Sequence, residues 1–141
     1  MSTRANIKIM DDNTTLWFYR HSDGDPETTL PVLTQFMRWM ADGRIRANAQ
    51  QSSGWLIALG MQEHGTGTEP NGDWKIGTYE PTDGQHADIN YLYTVDTTKQ
   101  EIRVEAVDMQ RGRSTLGVIG RAEAAFWTLD PPRLYPWIKR N

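Results

Sequence analysis

The order of patterns along the chain predicts an α+β domain. An antiparallel sheet of about five or six strands, running β-β-α-α-β-β-β in sequence, carries two helices packed on one face. Three observations carry the prediction. Apolar and polar residues alternate over 3–20, apolar residues recur at helical spacing between about 29 and 62, and alternation returns over 73–119. At 141 residues this is one domain, 1–141, with a hairpin at 3–20, the helices, a second strand region and a C-terminal arm at 121–141.

In the first arm Ala5, Ile7 and Ile9 alternate with Arg4, Asn6 and Lys8, as a half-buried strand requires. Asp11-Asp12-Asn13-Thr14 turns the chain, and the aromatic and β-branched run Thr15 to Arg20 pairs back. After a polar turn at 22–27, in which Gly24 is expected to take positive φ, Thr28 or Thr29 caps a helix with an early Pro31. Leu33, Phe36, Met37 and Met40 form its buried stripe, extended by Leu30 and Val32. Trp39 falls off that stripe, and Ala41-Asp42-Gly43 ends the helix.

The second helix is expected from about Ala47 to Gln62, with Asn48 as cap and Trp55, Leu56, Leu59 and Ile57 inward. Gly54 and Gly60 argue against it, since each weakens a helix by about 1 kcal/mol relative to Ala. Residues 65–72 read as a loop, Trp74 to Tyr79 as a strand and Pro81-Thr82-Asp83-Gly84 as a turn. The runs 89–95 and 102–107 form a hairpin around 96–100. Leu116 to Ile119 supply a short last strand, and Glu123 to Trp127 a helical turn, before a Pro-rich end. The second sheet face is left to the C-terminal arm, to solvent or to another copy.

A formal charge of −3 argues against extended nucleic-acid binding, which usually shows as a basic domain. No run approaches the ~18 apolar residues of a membrane span, so no membrane partner is expected. The polar start lacks the apolar core of a signal peptide, which points to the cytoplasm. With zero Cys there is no thiolate chemistry, zinc ribbon or iron–sulfur ligation, and no cofactor is expected.

Arg20, His21, Asp23 and Asp25 form the densest ionisable cluster. Carboxylates two residues apart beside a His suit a divalent cation, but 26–29 do not complete a calcium-loop spacing. The competing reading makes Asp23 and Asp25 turn formers. A second candidate is the Arg set 4, 20, 38, 44, 46, 103, 111, 113 and 121. If the two strand regions form one sheet, some of these guanidiniums converge with Tyr91, Tyr93 or Trp74 on a phosphate-bearing ligand, because Arg forks onto anions and aromatic rings stack on bases. The competing reading makes most of them surface charges paired with the 18 acidic residues, Arg20 excepted. The ligand-binding residues expected are therefore Arg20, His21, Asp23, Tyr91, Tyr93 and Arg103. His86-Ala87-Asp88 and Glu63-His64 are the remaining titratable pairs, and each His reads as solvated. No nucleophile elbow, phosphate loop, dinucleotide fingerprint or metalloprotease helix is present in the sequence.

Ser2-Thr3-Arg4-Ala5-Asn6-Ile7, then Tyr19-Arg20-His21-Ser22-Asp23-Gly24-Asp25-Pro26-Glu27, an amphipathic helix and Tyr91-Leu92-Tyr93 resemble a group of short phage and prophage-encoded proteins of unknown function. The likeness covers roughly the first two thirds of the chain and departs from the pattern at Asp25, where a Tyr is expected. It implies a phage-related origin in a bacterial host, and no reaction. The reading that follows is a non-enzymatic accessory protein that binds a small polar or nucleotide ligand or blocks a host defence protein. Two alternatives are an assembly protein forming a homo-oligomer through its Trp- and Pro-rich tail, and a small metal-dependent hydrolase or nuclease using His21, Asp23 and Asp25.

Overall fold

The computed structural model describes residues 3–63 and 78–121. They form a six-stranded sheet with two helices: β1 (Ala5–Met10), β2 (Thr15–Arg20), α1 (Pro26–Ala41), α2 (Ala49–Glu63), β3 (Glu80–Thr82), β4 (Tyr91–Asp96), β5 (Glu101–Asp108) and β6 (Gly112–Gly120). The spatial order is β3-β2-β1-β4-β5-β6. Both hairpins expected from alternation form, with Ile7 opposite Phe18 and Tyr93 opposite Val104. One pair differs from the antiparallel expectation: β1 and β4 run parallel. The chain leaves β2, passes through both helices and β3, and returns to the free side of β1 in the same direction, which local alternation does not record.

The helices lie on the face presented by Ala5, Ile7, Ile9, Phe18, Tyr93, Val95, Ile102 and Val104. With Leu30, Leu33, Phe36, Met37 and Met40 of α1 and Leu56 and Leu59 of α2, these make one core. The α1 stripe is buried as its spacing requires, but the helix starts earlier than expected. Asp25 is the cap, its carboxylate accepting from the Thr28 amide at 3.2 Å, and Pro26 takes the first helical position. Neither Thr28 nor Thr29 caps. Pro26 fits that position better than Pro31 because its missing N–H would have no helical partner there.

Asn48 accepts from the Gln51 amide at the start of α2. The same helix end is tied to the first hairpin by Asp11. One carboxylate oxygen accepts from the Ala49 amide and the other from Asn13 and Thr14. The backbone bonds from Ala49 and Asn13 hold this carboxyl below its ordinary value. The buried side of α2 is Ala49, Ser52, Leu56 and Leu59, so Trp55 at 47% exposure and Ile57 at 37% stand off it, contrary to expectation. Trp55 instead meets half-buried Trp39 edge-on, ring centres 6.0 Å apart. Gly60 belongs in this helix because a Cβ there would sit 2.5 Å from the Tyr79 ring, and Thr78 donates to its carbonyl.

β3 replaces part of the turn expected at 81–84. Pro81 stands opposite Phe18 on an edge strand, where proline is tolerated. β6 begins four residues before the expected 116. Its exposed polar start hid it, and Leu116 is the extra residue at a bulge opposite Val104 and Glu105. The loop expected at 65–72, most of the Trp74–Tyr79 strand and the helical turn at 123–127 lie outside the described residues.

The second sheet face is covered over β1 and β2 by the chain's own residues 83–90. His86 stacks on Tyr19, its amide donates to Asn6 Oδ1 at 2.7 Å, and Ile89 packs with Tyr19 and Leu92. Buried Asn6 suits this place because its amide also donates to the Phe18 carbonyl. No helix among the described residues is long and apolar enough to cross a membrane.

Candidate functional site

The six residues expected to bind ligand do not converge. Arg20, Tyr91 and Tyr93 point to the helix-bearing side, whereas Arg103, one residue from Ile102 and Val104, faces the other side and is exposed. Arg20 is 1% exposed, and its donors are used internally: Nε donates to the Ser22 carbonyl at 2.9 Å and Nη1 to the Tyr79 hydroxyl at 2.8 Å. Tyr93 is fully buried and donates to the Gly24 carbonyl at 2.6 Å. Burial holds its phenol well above the ordinary value.

Gly24 is needed there for space. A Cβ would sit 2.8 Å from the Ala5 Cβ, and the positive φ of this turn belongs to exposed Asp23, at 58°. The turn reading assigned that φ to Gly24, and the close approach of β1 moves it to the preceding residue. Asp25 is occupied as helix cap, and His21 turns away to set Nδ1 3.0 Å from the Tyr19 hydroxyl. No cluster of three or more metal-ligating side chains occurs among the described residues.

Tyr19 gathers the second set of polar groups. His86 stacks on its ring with centres 4.0 Å apart and sets Nε2 3.1 Å from the Thr82 hydroxyl, so this His is engaged where the sequence suggested solvation. Arg4 pairs with Asp88 at 2.7 Å. Burial raises the Tyr19 phenol above its ordinary value, and Asp88 adds to the effect. Every member of this set fastens the 83–90 crossover to the sheet. It reads as a clasp.

A different arrangement forms at the end of β4, β5 and β6. Tyr91, Ala106 and Ser114 are neighbours in register on three adjacent strands. Two small side chains beside a large ring leave a hollow of about 540 Å³, with Asn90 and Val107 at its rim. Arg111 enters from the β5–β6 turn. The Asp108 carboxylate holds that turn, its Oδ1 accepting from the Gln110 and Arg111 amides at 2.8 and 3.0 Å. Among the described residues Arg111 forms no ion pair, and its side chain is exposed. Tyr91 is half-buried, its ring tilted 30° from that of Tyr93 with 6.3 Å between ring centres.

A half-buried phenol, a hydroxyl and a guanidinium around one hollow, with Asp108 also in its lining, can stack a planar group and hold an acidic one against the guanidinium. A second hollow of about 480 Å³, between α1 and α2, is lined by Pro31, Val32, Leu59 and neutral polar side chains and has no charge to orient a ligand. No protein family, curated protein or solved structure matches the chain. Tyr91 belonged to the expected site and Arg111 to the wider Arg set. The sequence signal that could have joined them is the Asp108-x-x-Arg111-Gly112 turn, which places Arg111 at the end of β5 and β6 that lines the hollow.

Proposed function

We propose that this chain is a phage or prophage accessory protein of the bacterial cytoplasm that acts by binding a small planar ligand with an acidic group, of nucleotide type, in the Tyr91–Arg111 hollow. The observation that carries the reading is that Tyr91 and Arg111, which forms no ion pair among the described residues, both line a hollow of about 540 Å³, within the size range of small-molecule sites. The motif resemblance at 2–7 and 19–27 supports the phage origin, and the lack of a catalytic motif in the sequence favours capture over turnover. Sequestration of a signalling nucleotide, or obstruction of a host defence protein that uses one, follows from such binding.

Thermal denaturation of the full chain with adenosine, guanosine and cytidine mono- and triphosphates tests this. A ligand at 100 times its dissociation constant adds about 2.7 kcal/mol. Replacing Arg111 by Ala should weaken that ligand at least tenfold, since a charge-assisted bidentate contact is lost. Failure of every nucleotide to stabilise the chain rejects the reading.

A further inference from the structure

The two edges of the sheet are built differently. β3 is three residues long and carries Pro81, two devices that stop a further strand from adding. β6 is nine residues long, the longest strand among the described residues, and has neither Pro nor Lys. Its residues Thr115, Val118 and Ile119 favour extended backbone, and Val118 is 40% exposed. Among the described residues β6 pairs only with β5, so its outer row of N–H and C=O groups faces away from the sheet unpaired.

Charge selects what this edge accepts. Residues 111–121 hold three Arg and no acidic residue, in a chain of formal charge −3. Arg113 is half exposed, with Glu105 3.9 Å away as its sole ion-pair partner among the described residues. A second copy added to this edge would set the three Arg of each copy along one seam, which like-charge repulsion opposes. An acidic strand meets no such penalty. We infer that β6 is a docking edge for an extended, acidic segment of a partner protein, added as a seventh strand. Backbone hydrogen bonds supply the affinity, and the flanking Arg residues select carboxylates. The inference rests on the strand edge and not on the hollow. It uses Arg113, beside Glu105 on the face away from the helices, and Arg121, just past the far end of β6, where one Nη also donates to the Ala41 carbonyl.

The test titrates the isotope-labelled full chain with a blocked nine-residue peptide in which Thr and Glu alternate. Amide shifts should concentrate on β6 and the adjoining β5, and β6 amides should gain protection from exchange. Affinity should fall at least tenfold when Lys replaces Glu in the peptide, when alternate peptide amides are N-methylated, or in Arg113→Glu, whose fold is checked by circular dichroism. Loss with the Lys peptide but none on N-methylation would place the contact on side chains and overturn strand addition. Unchanged β6 amides overturn it too, as does a dimer whose β6 amides are already protected without peptide. Nucleotide in the hollow would shift only the amides near Ala106, Gly112 and Ser114 and would not respond to N-methylation of the peptide, whereas strand addition must also reach 117–120 and must respond to it, so either proposal can fail alone.

Discussion

Tyr91 and Tyr93 lie two residues apart on β4, face the same side, and each stands near an Arg-bearing segment, yet they serve different ends. Around Tyr93 the sheet is closed by α1 and the 22–25 turn. The phenol is spent on the Gly24 carbonyl, and nearby Arg20 is spent on Ser22 and Tyr79. Around Tyr91 the helices have passed, the next residues in register are Ala106 and Ser114, and the guanidinium of Arg111 forms no ion pair among the described residues. The same residue types thus make a structural clamp where helices cover the strand and an open hollow, the proposed recognition site, where they do not. Donors already satisfied in the interior have no free energy left to give a ligand.

The largest effect expected of this contrast is on Arg20. Arg20→Ala should lower stability by roughly 2–5 kcal/mol, since it empties a buried volume and removes the donors to the Tyr79 hydroxyl and the Ser22 carbonyl. A urea midpoint close to that of the unaltered chain would mean that Arg20 is not a clamp. Next, Tyr93→Phe should cost about 1–2 kcal/mol by leaving the Gly24 carbonyl unpaired.

Tyr93 also gives a pH signature. Its folded phenol titrates above the unfolded value of about 10, so its stabilisation is complete below pH ~10 and is lost as pH rises toward the folded value. Urea midpoints at pH 8 and 10.5 should therefore drop less in Tyr93→Phe than in the unaltered chain. Equal drops would assign the alkaline loss elsewhere, for example to Tyr19, whose phenol burial also raises. The smallest effects are expected at the open end. Tyr91→Phe and Arg111→Ala should change stability by less than about 0.5 kcal/mol while Arg111→Ala weakens nucleotide binding. A large stability loss in either would place them with the clamp.

What could be read in advance followed the strength of the local pattern. The 5–20 and 91–108 hairpins and the α1 stripe were legible because a buried face imposes period 2 or 3.6 on consecutive residues. Trp55 misled because size and hydrophobicity suggest the interior, whereas the α2 face is set by Leu56, Leu59 and the close approach of Tyr79 to Gly60. β3 was hidden because Pro81 reads as a turn until an edge position is known. In the candidate site Tyr91 was foreseen, but Arg111 was one Arg among nine. Selecting it requires the β4–β5–β6 register that places Ala106 and Ser114 beside Tyr91.

By itself, then, the amino-acid order determined most of the element types, the α1 stripe and most of the core, since each depends on the residues within a turn or a strand. Tertiary structure alone decided the parallel β1–β4 pair, the fold-back of 83–90 over Tyr19, and the division of the expected ligand residues between a buried clamp and an open hollow. These depend on which distant strands become neighbours. That outcome reflects the summed burial of the whole chain, which no local window contains.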